Sequence, residues 1–343
     1  MLTTQTDGSS PIRAVYSTIG GDEIRRVLEQ AFEIGPIDDC TLLQSGFNDI
    51  YEVTLADGQR CVARLSSRLE RGVANVDYET ALLQHLKRAG AAVAAPWVAK
   101  GGALSVEVTA PEGPRSLVVF DFLSGKPPGN EPADIATMGA ELARIHVFSR
   151  DYKGPPSNYQ LDFDHLLRRP LARLLATRDL GEEVREMLNS IALNLEGRIA
   201  TLNDLTSVAC HGDCHGWNTH MSDGPEGARV ASFFDFDDGG PGYLAYDLAV
   251  YLWNNLLARQ LEKPDEKVET KWGHFVNGYR SVAPILSVDF EAIMAFVAIR
   301  HFWLMGEYAS RIHRMGLGVF RGPWFRKNFE LVKQWQSLTT PGA

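Results

Sequence analysis

The chain predicts an α+β fold in two lobes, a small β-rich one followed by a larger helical one. Three observations lead there. At 343 residues the chain is longer than one small core requires. Residues 36 to about 123 alternate short β-like runs with a single helix. After the Gly/Pro-rich stretch SGKPPGNEP at 124–132, nearly every segment has helical periodicity. The expected division is a flexible leader over 1–20, an N-lobe over 21–123, a hinge or linker at 124–132 and a helical C-lobe over 133–343.

From Asp22, DEIRRVLEQAFEIG puts Ile24, Val27, Leu28 and Phe32 on one helical face, with Gly35 as the stop. CTLLQSGFNDIYEVTLADGQRCVARLS reads as two β-like runs joined by the hairpin signal ADG. ANVDYETALLQHLKRAG is helical, with Val76, Leu82, Leu83 and Leu86 roughly on one face and Gly90 as its stop. ALSVEV and RSLVVFDFL read as further strands around the turn TAPEGP. Beyond the linker, helices are expected over 133–148, 161–176, 182–202, 244–261, 268–282, 290–316 and 324–338. Two stretches interrupt them, VACHGDCHGWNTH at 208–220 and ARVASFFDFDD at 228–238.

Composition bounds the partners. Hydrophobic residues are 45% and charged residues 22%, an ordinary globular balance. A net charge of −9 argues against nucleic acid, which favours a basic surface. No stretch approaches the ~20 apolar residues of a membrane span, and the N-terminus has no signal-peptide core. A cytoplasmic protein with neither nucleic-acid nor membrane partners is expected. Cys40, Cys61, Cys210 and Cys214 form no zinc-type quartet and read as reduced, partly buried thiols.

The two interrupting stretches carry the chemistry. Phosphoryl transfer from ATP needs Mg²⁺ held by oxygen ligands and a carboxylate to orient the acceptor hydroxyl. HGDCHGWN supplies the Asp213 carboxylate and, five residues on, the Asn218 amide. SFFDFDD then places Asp235 at the end of an apolar run, a rigid place for a metal ligand. Asp, Asn and Gly also favour turns, and a turn explains either motif alone. Their order and 17-residue separation are harder to explain that way.

HGDCHGWN resembles the H-G-D-x-x-x-x-N loop of the aminoglycoside phosphotransferase and choline kinase superfamily, which is similar in fold to protein kinases. FFDFDDGGPGYLAYDLA resembles that family's second motif. The resemblance covers about residues 40–260 and continues more weakly to the C-terminus. HGDCH, DFDD, YDLAVYLW and VAAP are closest to the stress-response kinase A and type II homoserine kinase branch. It implies a protein-kinase-like bilobal fold with ATP and Mg²⁺ between the lobes. Asp213 would be the catalytic base, Asn218 and Asp235 would hold Mg²⁺, and His211 and Asp247 would support the loop.

The resemblance extends to the N-lobe. Ser45, Gly46, Phe47 and Asn48 fall where the family has its phosphate-covering loop, though a plain hairpin turn also explains them. CVARL occupies the position where protein kinases carry V-A-I-K, with Arg64 in place of lysine. A guanidinium can still bridge phosphate oxygens and a carboxylate, and Glu79 is its expected partner. Backbone atoms of Asp121, Phe122 and Leu123 would meet the adenine.

On the acceptor side, VDFEAIMAFVAIRHFWLM is apolar nearly all round, so Arg300 and His301 within it need partners. Arg300 either faces an anionic acceptor or, as favoured, pairs with a loop carboxylate such as Asp237 or Asp238 or lies at the helix surface. Trp253, Trp272, Trp303 and Tyr308 form either a cation cage or, as favoured, ordinary core. The expected activity is ATP-dependent phosphorylation of a small-molecule hydroxyl. The alternatives are a protein Ser/Thr kinase and a non-catalytic nucleotide-binding scaffold.

Overall fold

In this computed structural model, residues 14–67, 73–178, 180–321 and 323–342 are described. The chain divides into two compact units, Met1–Arg71 with Trp97–Phe120, and Gly72–Pro96 with Asp121–Ala343. The first is built on a sheet and the second is mainly helical, as the sequence leads one to expect.

The first unit opens with α1 (Gly21–Ala31), whose Ile24 and Leu28 are buried. The helix stops short of Gly35 because Phe32 is already extended and its ring enters the core. The β-like stretch expected as two runs forms three strands, β1 (Ile37–Ser45), β2 (Asp49–Leu55) and β3 (Arg60–Leu65). SGFND breaks the first run as a hairpin, and Gly58, at φ 86°, supplies the left-handed residue of the second. With β4 (Val106–Ala110) and β5 (Gly113–Asp121) they form one sheet in the order β1-β2-β3-β5-β4. Along β2, Asp49, Tyr51, Val53 and Leu55 alternate inward.

Asp49 is a charge in that inward row, and Arg115 of β5 meets it at 3.0 Å with both side chains fully buried. Arg115 also donates to the carbonyls of Ser17 and Leu65, and Tyr16 hydrogen-bonds Asp49. Tyr51 Oη donates to the Ile19 carbonyl at 2.7 Å. Residues 14–20 of the expected leader are thus tied to the sheet, while 1–13 lie outside the described residues.

The helix α2 (Val73–Ala89), expected in the N-lobe, belongs to the second unit. There His85 Nε2 donates to the Phe148 carbonyl at 2.9 Å and Tyr152 bonds the Tyr78 carbonyl. Next come α3 (Pro132–Phe148), α4 (Arg169–Leu175) and α5 (Glu182–Ala200). The helix expected over 161–176 is instead a π-turn at Asp164–Arg168 leading into α4, with Pro170 in the first turn of α4. Later helices are α6 (Leu244–Ala258), α7 (Glu266–Arg280), α8 (Ser287–Ser310), α9 (Ile312–Met315), α10 (Gly318–Arg321) and α11 (Pro323–Trp335). As its apolar sequence implies, α8 is central, packed by α4, α5, α6 and α11. No helix among the described residues is long and apolar enough to cross a membrane.

Candidate active site

Four short strands position the site. They are β6 (Ser207–Cys210), β7 (Thr219–Asp223), β8 (Arg229–Phe233) and β9 (Gly240–Tyr243). β6 pairs with β9, and β7 with β8, all antiparallel. The chain therefore crosses twice between the same two ladders, once through 211–218 and once back through 234–239. This sets the HGDCHGWN loop beside the DFDDG loop.

Backbone bonds lock the two loops together. The Phe234 N–H donates to the Asn218 carbonyl at 3.1 Å. The Phe234 carbonyl accepts from His211 Nε2 at 3.1 Å. His211 Nδ1 accepts the Asp213 N–H at 3.2 Å, so the imidazole is the neutral Nε2–H form. Burial lowers its pKa, which holds it neutral. The residue after Phe234 is Asp235, at φ 64°. That left-handed backbone is uncommon outside glycine and is tolerated best by Asn and Asp. Gly212, at φ 85°, lies so close to the Asp238 carbonyl that a Cβ there would come within 2.1 Å.

Asp247, in the first turn of α6, braces the loop from behind. Its two carboxylate oxygens accept the N–H groups of His211 at 2.7 Å and Gly212 at 2.8 Å. His146 of α3 adds a contact at 2.9 Å and itself meets Tyr279 Oη at 2.8 Å. Burial alone would raise the Asp247 pKa, but the His146 bond and the backbone donors hold it below the usual carboxylate range.

Asp213 has three side-chain neighbours at its carboxylate, Asn218, His215 and Arg300. Asn218 Nδ2 donates to its Oδ2 at 3.1 Å and to its carbonyl at 3.0 Å. His215 Nε2 lies 3.3 Å from the same Oδ2. Arg300 Nη2 meets Oδ1 at 2.5 Å. Burial would raise the Asp213 pKa, yet the Arg300 guanidinium and then His215 pull it well below the usual range.

The sequence favoured for Arg300 a loop carboxylate such as Asp237 or Asp238, or the helix surface; the residue is buried. The structure pairs it most closely with another loop carboxylate, Asp213, at 2.5 Å, and with Asp238 at 4.0 Å. Asp237 is buried, and its carbonyl lies 3.4 Å from Tyr159 Oη. The aromatics offered as a cation cage part company. Trp253 and Trp303 enclose Arg300, Trp272 packs on Phe275, and Tyr308 packs on Trp324.

The N-lobe candidates are placed as follows. Ser45 ends β1, and Gly46, Phe47 and Asn48 make the β1–β2 connection, where Asn48 Oδ1 accepts the Ser67 N–H at 3.0 Å. Arg64 on β3 is buried, its guanidinium 5.0 Å from the Phe120 ring centroid, and Glu79 is buried on α2. Of the backbone groups expected to meet adenine, the Asp121 N–H donates to the Ala95 carbonyl and the Leu123 carbonyl accepts from His220. Phe122 follows the end of β5 between them. All four cysteines are free and buried. Burial raises the thiol pKa of Cys210 and Cys214, so neither is a ready nucleophile.

Sequence reasoning missed His146, His215 and Tyr246. His146 follows Ile145 on the expected apolar face of α3, where a buried histidine needs a partner, so a signal was present. Nothing in the sequence connects it to Asp247, 101 residues away.

Residues 39–285 match the phosphotransferase enzyme family, APH. An uncharacterized protein of Deinococcus radiodurans is 34% identical over 297 residues, 86% of this chain and 84% of that protein. The homoserine kinase of Cupriavidus metallidurans is 27% identical over 243 residues, 69% of this chain and 71% of that protein. A solved amicoumacin kinase, in complex with AMP-PNP, Ca²⁺ and Ami, superposes with a TM-score of 0.74 at 19% identity, covering 91% of this chain and 93% of that one. With its kinase-like α+β architecture and a match across most of its length, the chain belongs to the APH phosphotransferase enzyme family.

Proposed function

We propose that this protein transfers the γ-phosphate of ATP to a hydroxyl of a small molecule. One observation carries the reading. Asp213 and Asn218 are joined side chain to side chain, and the loop that holds them is tied through Phe234 to the backbone just before Asp235. A hydroxyl-binding carboxylate and two oxygen donors for a metal thus come from two mutually locked loops.

The residues fit Mg²⁺. Asn218 Nδ2 is engaged by Asp213, which leaves its Oδ1 as the donor, and Asp235 adds a carboxylate. Both are hard oxygen ligands. The described residues hold no cluster of three or more His, Cys, Asp or Glu side chains suited to a metal. Mg²⁺ is usually held by one or two carboxylates together with substrate phosphates, so a sparse protein site is what a nucleotide-bound ion requires. When bound, the ion would neutralise charge on the phosphates.

Asp213 orients the acceptor hydroxyl and accepts its hydrogen bond. His211 and Asp247 fix the loop. In the first unit, the Ser45–Asn48 connection and Arg64 are assigned to the nucleotide phosphates, on the family pattern. The relatives named amicoumacin kinase and homoserine kinase support a small-molecule acceptor.

The reading is tested by incubating the protein with labelled ATP, Mg²⁺ and a panel of hydroxylated metabolites and antibiotics. Label should pass to one chemical class of acceptor and should require Mg²⁺. Mg²⁺-dependent nucleotide binding without transfer to any hydroxyl, water included, would point instead to a non-catalytic nucleotide-binding protein.

A further inference from the structure

The cage of indoles already holds a cation of the protein's own. The Arg300 guanidinium lies 4.3 Å from the Trp303 ring centroid and 5.0 Å from that of Trp253. Trp253 is itself fixed, because its Nε1–H donates to His301 Nδ1 at 3.0 Å. At the guanidinium's edge, Nη1 meets Tyr246 Oη at 3.3 Å, and Nη2 meets Asp213 Oδ1 at 2.5 Å. The arginine side chain is only 3% exposed. Two indoles and two hydrogen bonds thus hold the group, while its Nε is buried without a hydrogen-bond partner among the described residues.

We propose that Arg300 is a positioning residue for the phosphate transfer, holding the Asp213 carboxylate in the one rotation that leaves a lone pair for the acceptor hydroxyl. The inference rests on the reading of Asp213 as the hydroxyl's partner. A carboxylate offers about four acceptor positions. Asn218 and His215 occupy Oδ2 and Arg300 occupies one side of Oδ1. The remaining position is on Oδ1, and the Asp213 side chain is 18% exposed. The terminal torsion of an aspartate is broad and roughly two-fold, so without the guanidinium the carboxylate can rotate and present a different edge. The Arg300 side chain is almost wholly buried and its two terminal nitrogens are bonded within the protein, so it does not read a carboxylate or phosphate on the acceptor.

A planar fork stacked between two rings is not replaced by a lysine. Arg300→Ala should instead leave a slot, walled by Trp253 and Trp303 and ended by Asp213, that fits a free guanidinium ion. The assay is Mg²⁺-dependent hydrolysis of ATP, with water as the acceptor. Arg300→Ala and Arg300→Lys are expected to lose at least about tenfold in kcat with KM for ATP within about twofold. Millimolar guanidinium chloride should recover much of the Arg300→Ala loss and raise its Tm, with no such effect on wild type or on the Asp213→Asn/Arg300→Ala double variant. Wild-type kcat in Arg300→Ala, or a loss that guanidinium neither recovers nor stabilises, overturns the inference. If Arg300→Ala does not fold, Arg300→Lys decides alone: wild-type kcat overturns the inference, and lowered kcat at unchanged KM supports it. Asp213→Asn separates the two levels. If Asp213→Asn keeps wild-type turnover, the reading of Asp213 fails. If it is inactive while both Arg300 variants match wild type, only the positioning role fails.

Discussion

Asp235 holds a left-handed backbone at φ 64°, which costs a non-glycine residue of order 1–3 kcal/mol. The conformation persists because Phe234 is bonded on both sides by the neighbouring loop. Strain at the residue assigned to the metal is the kind of feature that marks a working site. Asp235→Asn tolerates the same backbone but removes the charge, so it should abolish Mg²⁺-dependent ATP binding. Asp238→Asn should not, since its side chain faces Arg300 at only 4.0 Å. Calorimetry with and without Mg²⁺ compares them, and equal losses would mean that the ligand has been misassigned within DFDD. His301 gives a second prediction at this scale. Burial drives its pKa down to about 3, so the folded state keeps it neutral while the unfolded chain binds a proton below about pH 6.5. Its contribution is present above that pH and is lost as pH falls toward 3, at up to about 1.4 kcal/mol per pH unit. His301→Gln, whose carbonyl can still accept from Trp253, should flatten the fall in stability between pH 6 and 4.5. An unchanged slope in urea titrations would contradict the neutral assignment.

Among the elements, the contact of α3 with α7 is made by glycines. A Cβ at Gly139 would come within 2.1 Å of the Phe275 carbonyl, and one at Gly278 within 1.9 Å of the Ala136 carbonyl. This close approach brings His146 of α3 and Tyr279 of α7 to the Asp247 brace. Gly139→Ala and Gly278→Ala should each cost about 1–3 kcal/mol or more. Gly273, on the same helix α7 but with nothing within 4 Å of a Cβ, should gain up to about 1 kcal/mol as alanine. Thermal melts of the three variants read both signs, and a neutral Gly278→Ala would show that the helices can part. Helical periodicity placed α1, α3 and α5 close to where they stand, because each has an apolar face several turns long, and α8 was marked by a run apolar nearly all round. Periodicity could not place β6, β7 or β9, whereas the apolar run ending at Asp235 marked part of β8. SVAC and GPGY are four residues each, too short for an alternation, and GPGY has the composition of a turn.

Over the whole molecule, the catalytic candidates were legible because they are local, with HGDCHGWN and DFDD carrying Asp213, Asn218 and Asp235 in two short runs. What those residues touch was not. Arg300 lies 87 residues from Asp213, and only the packing of α8 brings them together. The same compactness bears on the acceptor. From Asp235 the chain reaches β9 at Gly240 and α6 at Leu244, with no room for the long activation segment ending in A-P-E that supports a protein substrate. A small hydroxylated compound should therefore be used at least ~100-fold more efficiently, by kcat/KM, than any generic protein, about 2.7 kcal/mol of transition-state binding. Efficient Ser/Thr phosphorylation of protein with no small molecule turned over would favour a protein kinase instead.

The measurement that bears most directly on phosphate transfer through this site is turnover of Asp213→Asn beside its affinity for Mg·ATP. The substitution keeps the shape of the side chain and an oxygen for Arg300, and removes the carboxylate that meets the hydroxyl. Turnover should fall by roughly 10²- to 10⁴-fold, while the Kd for Mg·ATP stays within about threefold of wild type. A folded Asp213→Asn protein that keeps more than about half of its turnover would contradict the assignment of Asp213 and with it the proposed mechanism.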